Sequence, residues 1–234
     1  MKIPQLFRRF AFEFITILTA VLLSFTINEW RIKQENKALA IDLLEQMESN
    51  LQLDTASFHR NIGAIESWLE SYEALLDIQE ITSIDTSKFA MQMDHMISYT
   101  KFVPVNTGYE EMKQTGGSYL IRNKKLLKQI IQLYTFSYNF SEEWNKIDSQ
   151  HILERVIPYI DSHFPYSAWA DMSSLVEEQP EKLIAELRAN HFKNLIRTNK
   201  MFKEVVKNIY GRNLMAADSA LLEVQGEINH LKGN

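Results

Sequence analysis

The run Phe10–Trp30, FAFEFITILTAVLLSFTINEW, constrains this chain more than any other stretch. It carries one formal charge, Glu13, before its last two positions, and its roughly 20 residues make a helix long enough to cross ~30 Å of hydrocarbon. The remainder of the 234 residues is polar and amphipathic, with no second run of this kind. A cleaved signal peptide has a shorter apolar region, ~7–15 residues, and closes on a small-residue cleavage site. Here the run passes through Ser24-Phe25-Thr26-Ile27-Asn28 without such a site, so the sequence predicts an uncleaved anchor.

Lys2, Arg8 and Arg9 precede the span, while Arg31, Lys33 and Lys37 follow it among Glu29 and Glu35. The basic residues crowded before the span favour a short cytoplasmic tail, 1–9, a transmembrane helix, 10–30, and a domain on the far side. Glu13 lies four residues after Arg9, where a helix places the two on one face. It reads either as a snorkelling carboxylate near the headgroups or as a functional intramembrane acid. Thr16, Ala20, Ser24 and Asn28 continue from it at a spacing of about four, a narrow stripe that would let a second helix approach. Self-association of the span is the natural use of that stripe.

No Pro or Gly interrupts residues 10–62, so the membrane helix is expected to run on into a long stalk or bundle helix, 31–80. Leu44, Leu51, Phe58, Ile65 and Tyr72 recur every seven residues. That period marks an amphipathic helix and permits a coiled coil, within one chain or between chains. Gly63 is a potential bend. With only 7 Gly and 5 Pro, and with 13 Phe, 9 Tyr, 4 Trp and 9 Met as core material, residues 81–234 read as a helical soluble domain. The whole is all-α: a transmembrane helix, its amphipathic continuation, and a bundle of about five to seven helices.

Within that domain Ser83-Ile84-Asp85-Thr86-Ser87 offers caps for a helix reaching about Thr100. Asn106 or Thr107 is placed to cap a short helix through Gln114, ended by Gly116-Gly117. Asn106, Tyr109, Gly116 and Gly117 form a loop with specific backbone demands, read as a structural turn or as a ligand loop. Asn123 is placed to cap a helix to about Tyr138, followed by a second from Ser141 to Ser162 that Pro158 bends or ends. Phe164–Met172 reads as an aromatic loop. From Pro180 the pattern is helical to Leu231, with a break near Asn190 or Thr198. Arg188, Lys193, Arg197, Lys200, Lys203 and Lys207 read as a solvated basic face.

The anchor closing on Ile27-Asn28-Glu29-Trp30, the stretch NTGYEEMKQTGGSYLIRNKKLLKQIIQLY over Asn106–Tyr134, and HFKNLIR over His191–Arg197 resemble a bacterial family of uncharacterised membrane proteins. The family's anchor carries a glycine–glutamate pair and ends in an isoleucine-asparagine-asparagine-tryptophan-like motif. This chain has Ala11-Phe12 before the acid and Glu29 for the second asparagine. The resemblance implies a single-pass, helix-rich protein of a bacterial inner membrane and implies no activity.

Residues for chemistry are sparse. The chain has no cysteine, hence no thiolate metal site, disulfide or cysteine nucleophile. None of its six histidines forms H-E-x-x-H, and no nucleophile elbow, dinucleotide fingerprint or P-loop is present, so no catalytic, cofactor or metal residue is assigned. A net charge of −5 argues against nucleic acid as a partner. The expected role is non-enzymatic: a self-associating envelope scaffold or partner-binding module in contact with membrane lipid. An extracytoplasmic ligand-sensing bundle is the alternative; an enzyme, or an ion path lined by Glu13, ranks lower.

Overall fold

The computed structural model describes residues 5–78, 84–164 and 179–233. Expectations at Lys2 and Ser83, at the 80/81 boundary and over most of the aromatic loop (Pro165, Tyr166, Trp169) lie outside them. Among the described residues the protein is helical without strands, in six helices when the continuous stretch 124–163 is taken as one.

Helix α1, Gln5–Leu76, is unbroken for 72 residues, or ~108 Å at 1.5 Å per residue. It passes through Gly63 without interruption, because that position faces solvent and no neighbour wedges into it. Its N-terminal part stands clear of everything else. An 18-residue window there has a mean hydropathy of 1.4 and is 0% buried, with Phe12, Phe14, Ile17, Phe25 and Ile27 all exposed. Among the described residues this is the one helix long and apolar enough to cross a membrane.

Burial starts at Ala40. From there the heptad residues Leu44, Leu51, Phe58, Ile65 and Tyr72 are each 0% exposed, filled in by Met47 and Leu75. Their partner is the last helix. Pro180 opens α7 (Pro180–Arg188) at its first turn, where a missing N–H costs nothing. Ala189, at ψ 133°, then separates α7 from a 44-residue helix, Asn190–Gly233, which we number α8. The break falls beside Asn190 and none occurs at Thr198, whose hydroxyl donates to the Asn194 carbonyl inside the helix. As α1 advances through Glu45, Glu66 and Glu73, its ion-pair partners retreat through Lys232, Lys207 and Lys200, so the two helices are antiparallel. The acidic flank of α1 is matched by the basic flank of α8.

Three shorter pieces close the core. Helix α2, Thr86–Met96, is capped by Asp85, whose carboxylate accepts from the Lys88 N–H. It ends at Met96, short of Thr100, because Tyr72 and Asn199 take its last carbonyls. Helix α3, Thr107–Gln114, crosses α1, and after it Gly116 adopts φ +67°, the left-handed turn glycine favours.

The third piece starts at Asn123, whose side chain accepts from the Leu126 N–H. It comprises α4 (Lys124–Gln132), α5 (Tyr138–His151) and α6 (Ile157–His163), joined by π-helical turns at Leu133–Ser137 and Ile152–Val156. The expected break near 138–141 is absent. Each π turn widens the helix by one residue instead, so Leu133, Tyr134 and Tyr138 all face inward, as do Ile152, Val156 and Ile160. The second π turn lies directly before Pro158, which cannot donate to the carbonyl four residues back.

Candidate functional site

In the apolar part of α1 the residues of the small-residue stripe are exposed. The Thr16 hydroxyl donates to the Phe12 carbonyl at 2.8 Å and that of Ser24 to Ala20 at 2.9 Å, so both are satisfied within their own helix. Asn28 Oδ1 accepts from Arg31. Ala20, Ser24 and Asn28 share a shallow surface groove with Ile17 and Phe25. Thr19 and Thr26 bond backwards in the same way, so hydroxyls alone do not distinguish the stripe; its small Ala20 and its Asn28 do.

The heptad seam has no free face. Phe58 stacks on Phe102 with ring centroids 4.1 Å apart and meets Tyr138 and Tyr210, while Leu44, Met47 and Leu51 join the same cluster. The seam belongs to the chain's own bundle, and any association between copies must use other surfaces.

The loop residues serve the crossing of α3 over α1. Asn106 makes no side-chain cap. The cap comes from Asn50 of α1 instead: with its amide oriented to satisfy both ends, its oxygen accepts from the N–H groups of Gly108 (2.9 Å) and Thr107 (3.2 Å). Gly108 is the close approach, since a Cβ there would lie 3.1 Å from Met47 N and 3.2 Å from Gln46 Cβ. Tyr109 stacks on Tyr134 at 4.9 Å. Gly116 supplies the left-handed turn and Gly117 is buried close to Leu43. These contacts give Tyr109, Gly116 and Gly117 positioning roles.

Sequence reasoning missed a buried polar spine. Asn199, Lys203, Tyr210 and Asn213 follow one another along the inward face of α8. Asn199 donates to the Tyr72 hydroxyl and the Met96 carbonyl. Lys203, read from sequence as part of a solvated face, is 0% exposed and reaches both oxygens of Asp148, at 2.8 and 2.6 Å, under the Trp68 ring. Burial pushes the Asp148 carboxyl up and the Lys203 amine down, and their mutual attraction opposes both shifts. Burial, then the charges of Lys203 and Arg155, lowers His151. Tyr210 donates to Asn145 and its oxygen accepts from the Thr100 hydroxyl; Asn213 donates to the Ser137 carbonyl and to Ser141.

Across the core, Asp54 of α1 is 1% exposed and accepts from the Val105 N–H at 2.9 Å. Its second oxygen lies near the Tyr138 hydroxyl, close enough for the two to influence each other but without a hydrogen bond of ordinary geometry. Burial raises the Asp54 pKa from 3.8 to about 6, against the restraining Val105 hydrogen bond and the nearby Tyr138 and Tyr134 hydroxyls. The spine is enclosed, and each of its four side chains bonds to another helix or its end, leaving Asn199 Oδ1 and Asn145 Nδ2 without partners; such cross-links fix which helix meets which. Among the described residues no three His, Asp or Glu side chains converge as metal ligands.

A broad cleft lies at the root of the apolar segment. There the end of α8 and the turn before α4 meet α1 just after Trp30. The resulting cleft of about 590 Å³ is lined by Lys33 and Lys37 of α1, Tyr119 and Arg122 of the turn, and Glu227 and His230 of α8. No family model matches the sequence, and no curated protein and no solved structure shows significant similarity to it.

Proposed function

We propose that this chain is a single-pass, non-enzymatic protein of a bacterial inner membrane. On this reading α1 crosses the bilayer with a short tail inside, holds a helical bundle in the periplasm and self-associates to present that bundle to an envelope partner. The observation that carries the reading is the division of labour along α1. One unbroken helix is apolar and uncovered over its first part, yet forms the centre of a packed core from Ala40 onward. An uncovered apolar helix of this length is stable against a membrane and costly in water. Self-association is supported by the groove of Ala20, Ser24 and Asn28, where a second backbone can approach.

Two measurements test the proposal. The protein should stay with membranes through an alkaline carbonate wash, and protease added to the periplasmic face should reach the bundle. Release by carbonate would refute the anchor, and protection of the bundle would reverse its side. Crosslinking in membranes should give discrete oligomers; monomer alone would remove self-association.

A further inference from the structure

We propose that the cleft at the root of α1 is a binding site for the phosphate headgroup of an anionic phospholipid in the leaflet beneath the bundle. The proposal rests on the reading that α1 spans the bilayer and adds the ligand that the bundle meets there.

Charge points the same way as position. Three lysines at this end of the bundle are held in ion pairs: Lys125 with Glu223 at 2.6 Å, Lys232 with Glu45 at 2.7 Å and Lys113 with Glu110 at 3.1 Å. Lys33, Lys37 and Arg122 make no ion pair among the described residues, and they converge on one cleft against a single carboxylate, Glu227. The chain as a whole carries −5, so its surface at large repels an anionic bilayer. The cleft is a local reversal of that field. Its volume of about 590 Å³ falls inside the range of ordinary ligand pockets.

Height follows from the helix. With no break between Trp30 and Lys37, Lys33 stands ~5 Å and Lys37 ~10 Å past Trp30 along the axis. The headgroup layer is ~5–8 Å deep on each side. Lys33 therefore sits among the phosphates, and Lys37 stands just beyond the outer edge of the layer, where it and Arg122 across the cleft face a headgroup that rises from it. Trp30 is 63% exposed and Tyr119 68% exposed, aromatic side chains of the kind that settle at this depth. Arg122 supplies a planar fork suited to phosphate oxygens, and the two lysines supply point charges.

The test uses the full chain reconstituted in phosphatidylcholine vesicles with a minor fraction of phosphatidylglycerol. Spin-labelled versions of each lipid report their relative association with the protein. The wild type is expected to prefer phosphatidylglycerol about fivefold or more, the scale of one cation's attraction at an anionic surface. K33Q/K37Q/R122Q should bring the ratio to about one, whereas K146Q/K182Q, which changes the same kind of charge away from the cleft, should leave it intact. The charge-keeping variant K33R/K37R/R122K should retain the preference, which separates loss of charge from loss of fold. A wild type without preference, or a preference the triple Gln variant keeps, overturns the proposal. Suppression of the preference by soluble glycerol phosphate at low concentration would overturn it too, by assigning the site to a free phosphate. Failure of the wild type to float with the vesicles after an alkaline wash would overturn the anchor reading together with this one.

Discussion

Replacing Asp54 by Asn should make the bundle more stable at neutral pH, and the gain should vanish in acid. Asp54 is buried with a pKa raised from 3.8 to about 6. A raised carboxyl pKa means that the folded state prefers the neutral form. The stability this group contributes is full below the unfolded value, falls as pH rises through about 6, and is absent above it. A shift of this size corresponds to at most about 3 kcal/mol, since each pKa unit is worth about 1.4 kcal/mol. Asn keeps an oxygen for the Val105 N–H and adds an N–H for the unpartnered Tyr138 hydroxyl, so the geometry survives the change. The expected gain is therefore about 1–3 kcal/mol at about pH 8 and nearly zero at about pH 4. Urea unfolding of full-length protein in nanodiscs, followed by near-ultraviolet circular dichroism, gives both values. Taking the difference between variant and wild type cancels His95 and His151, whose lowered pKa values act in the opposite direction. A difference independent of pH, or an Asn variant less stable at about pH 8, would show that Asp54 is not held neutral by burial.

The other expectations follow from single contacts. Lys203→Met strands the Asp148 carboxylate in the core and should cost about 3–5 kcal/mol by the same urea assay, while the paired change Lys203→Met with Asp148→Leu should recover most of it. Gly108→Ala presses a methyl onto the backbone of α1 and should cost about 1–3 kcal/mol, whereas Gly63→Ala, which meets nothing, should be neutral or stabilising. Within the span, Ala20→Leu with Ser24→Leu fills the shallow groove; crosslinked oligomers should drop severalfold, and an unchanged yield would take this face out of the interface.

The heptad from Leu44 to Tyr72 was readable because an apolar repeat reports that a helix packs against another helix. It does not report whose helix. Only the antiparallel seating of α8 shows that the seam is used within the chain. Helix starts were legible where a side chain does the capping, as at Asp85 and Asn123, or where a proline opens the first turn, as at Pro180. The start of α3 was not, because its cap arrives from Asn50, more than fifty positions earlier in the chain. Lys203 looked like one of six similar cations. Its register was the available signal: it falls in phase with Asn199, Val206 and Tyr210, all buried, while Lys200 and Lys207 fall beside that line. The second π turn left a trace as well, since Asp148, Ile152, Val156 and Ile160 step by four, too slowly for a regular helix to keep on one side. The cleft joins three segments distant in sequence, so composition and spacing could not reveal it.

Because α1 is a single helix, the azimuth of its apolar part is locked to the azimuth of its bundle. At roughly 100° per residue, the face holding Glu13, Ala20 and Ser24 lies roughly 170° around the axis from the face that receives α8 near Ala40 and Leu44. The same outward azimuth continues upward as Ser49, Ala56, Gly63 and Ser67, of which Ser49, Ala56, Gly63 and Ser67 are all exposed. Two copies meeting through their spans would thus present bare backs of α1 to one another, with both bundles facing out. The angular phase is a property of chain length: two residues added between Trp30 and Ala40 would turn the span by roughly 200° and bring its small face round beneath α8.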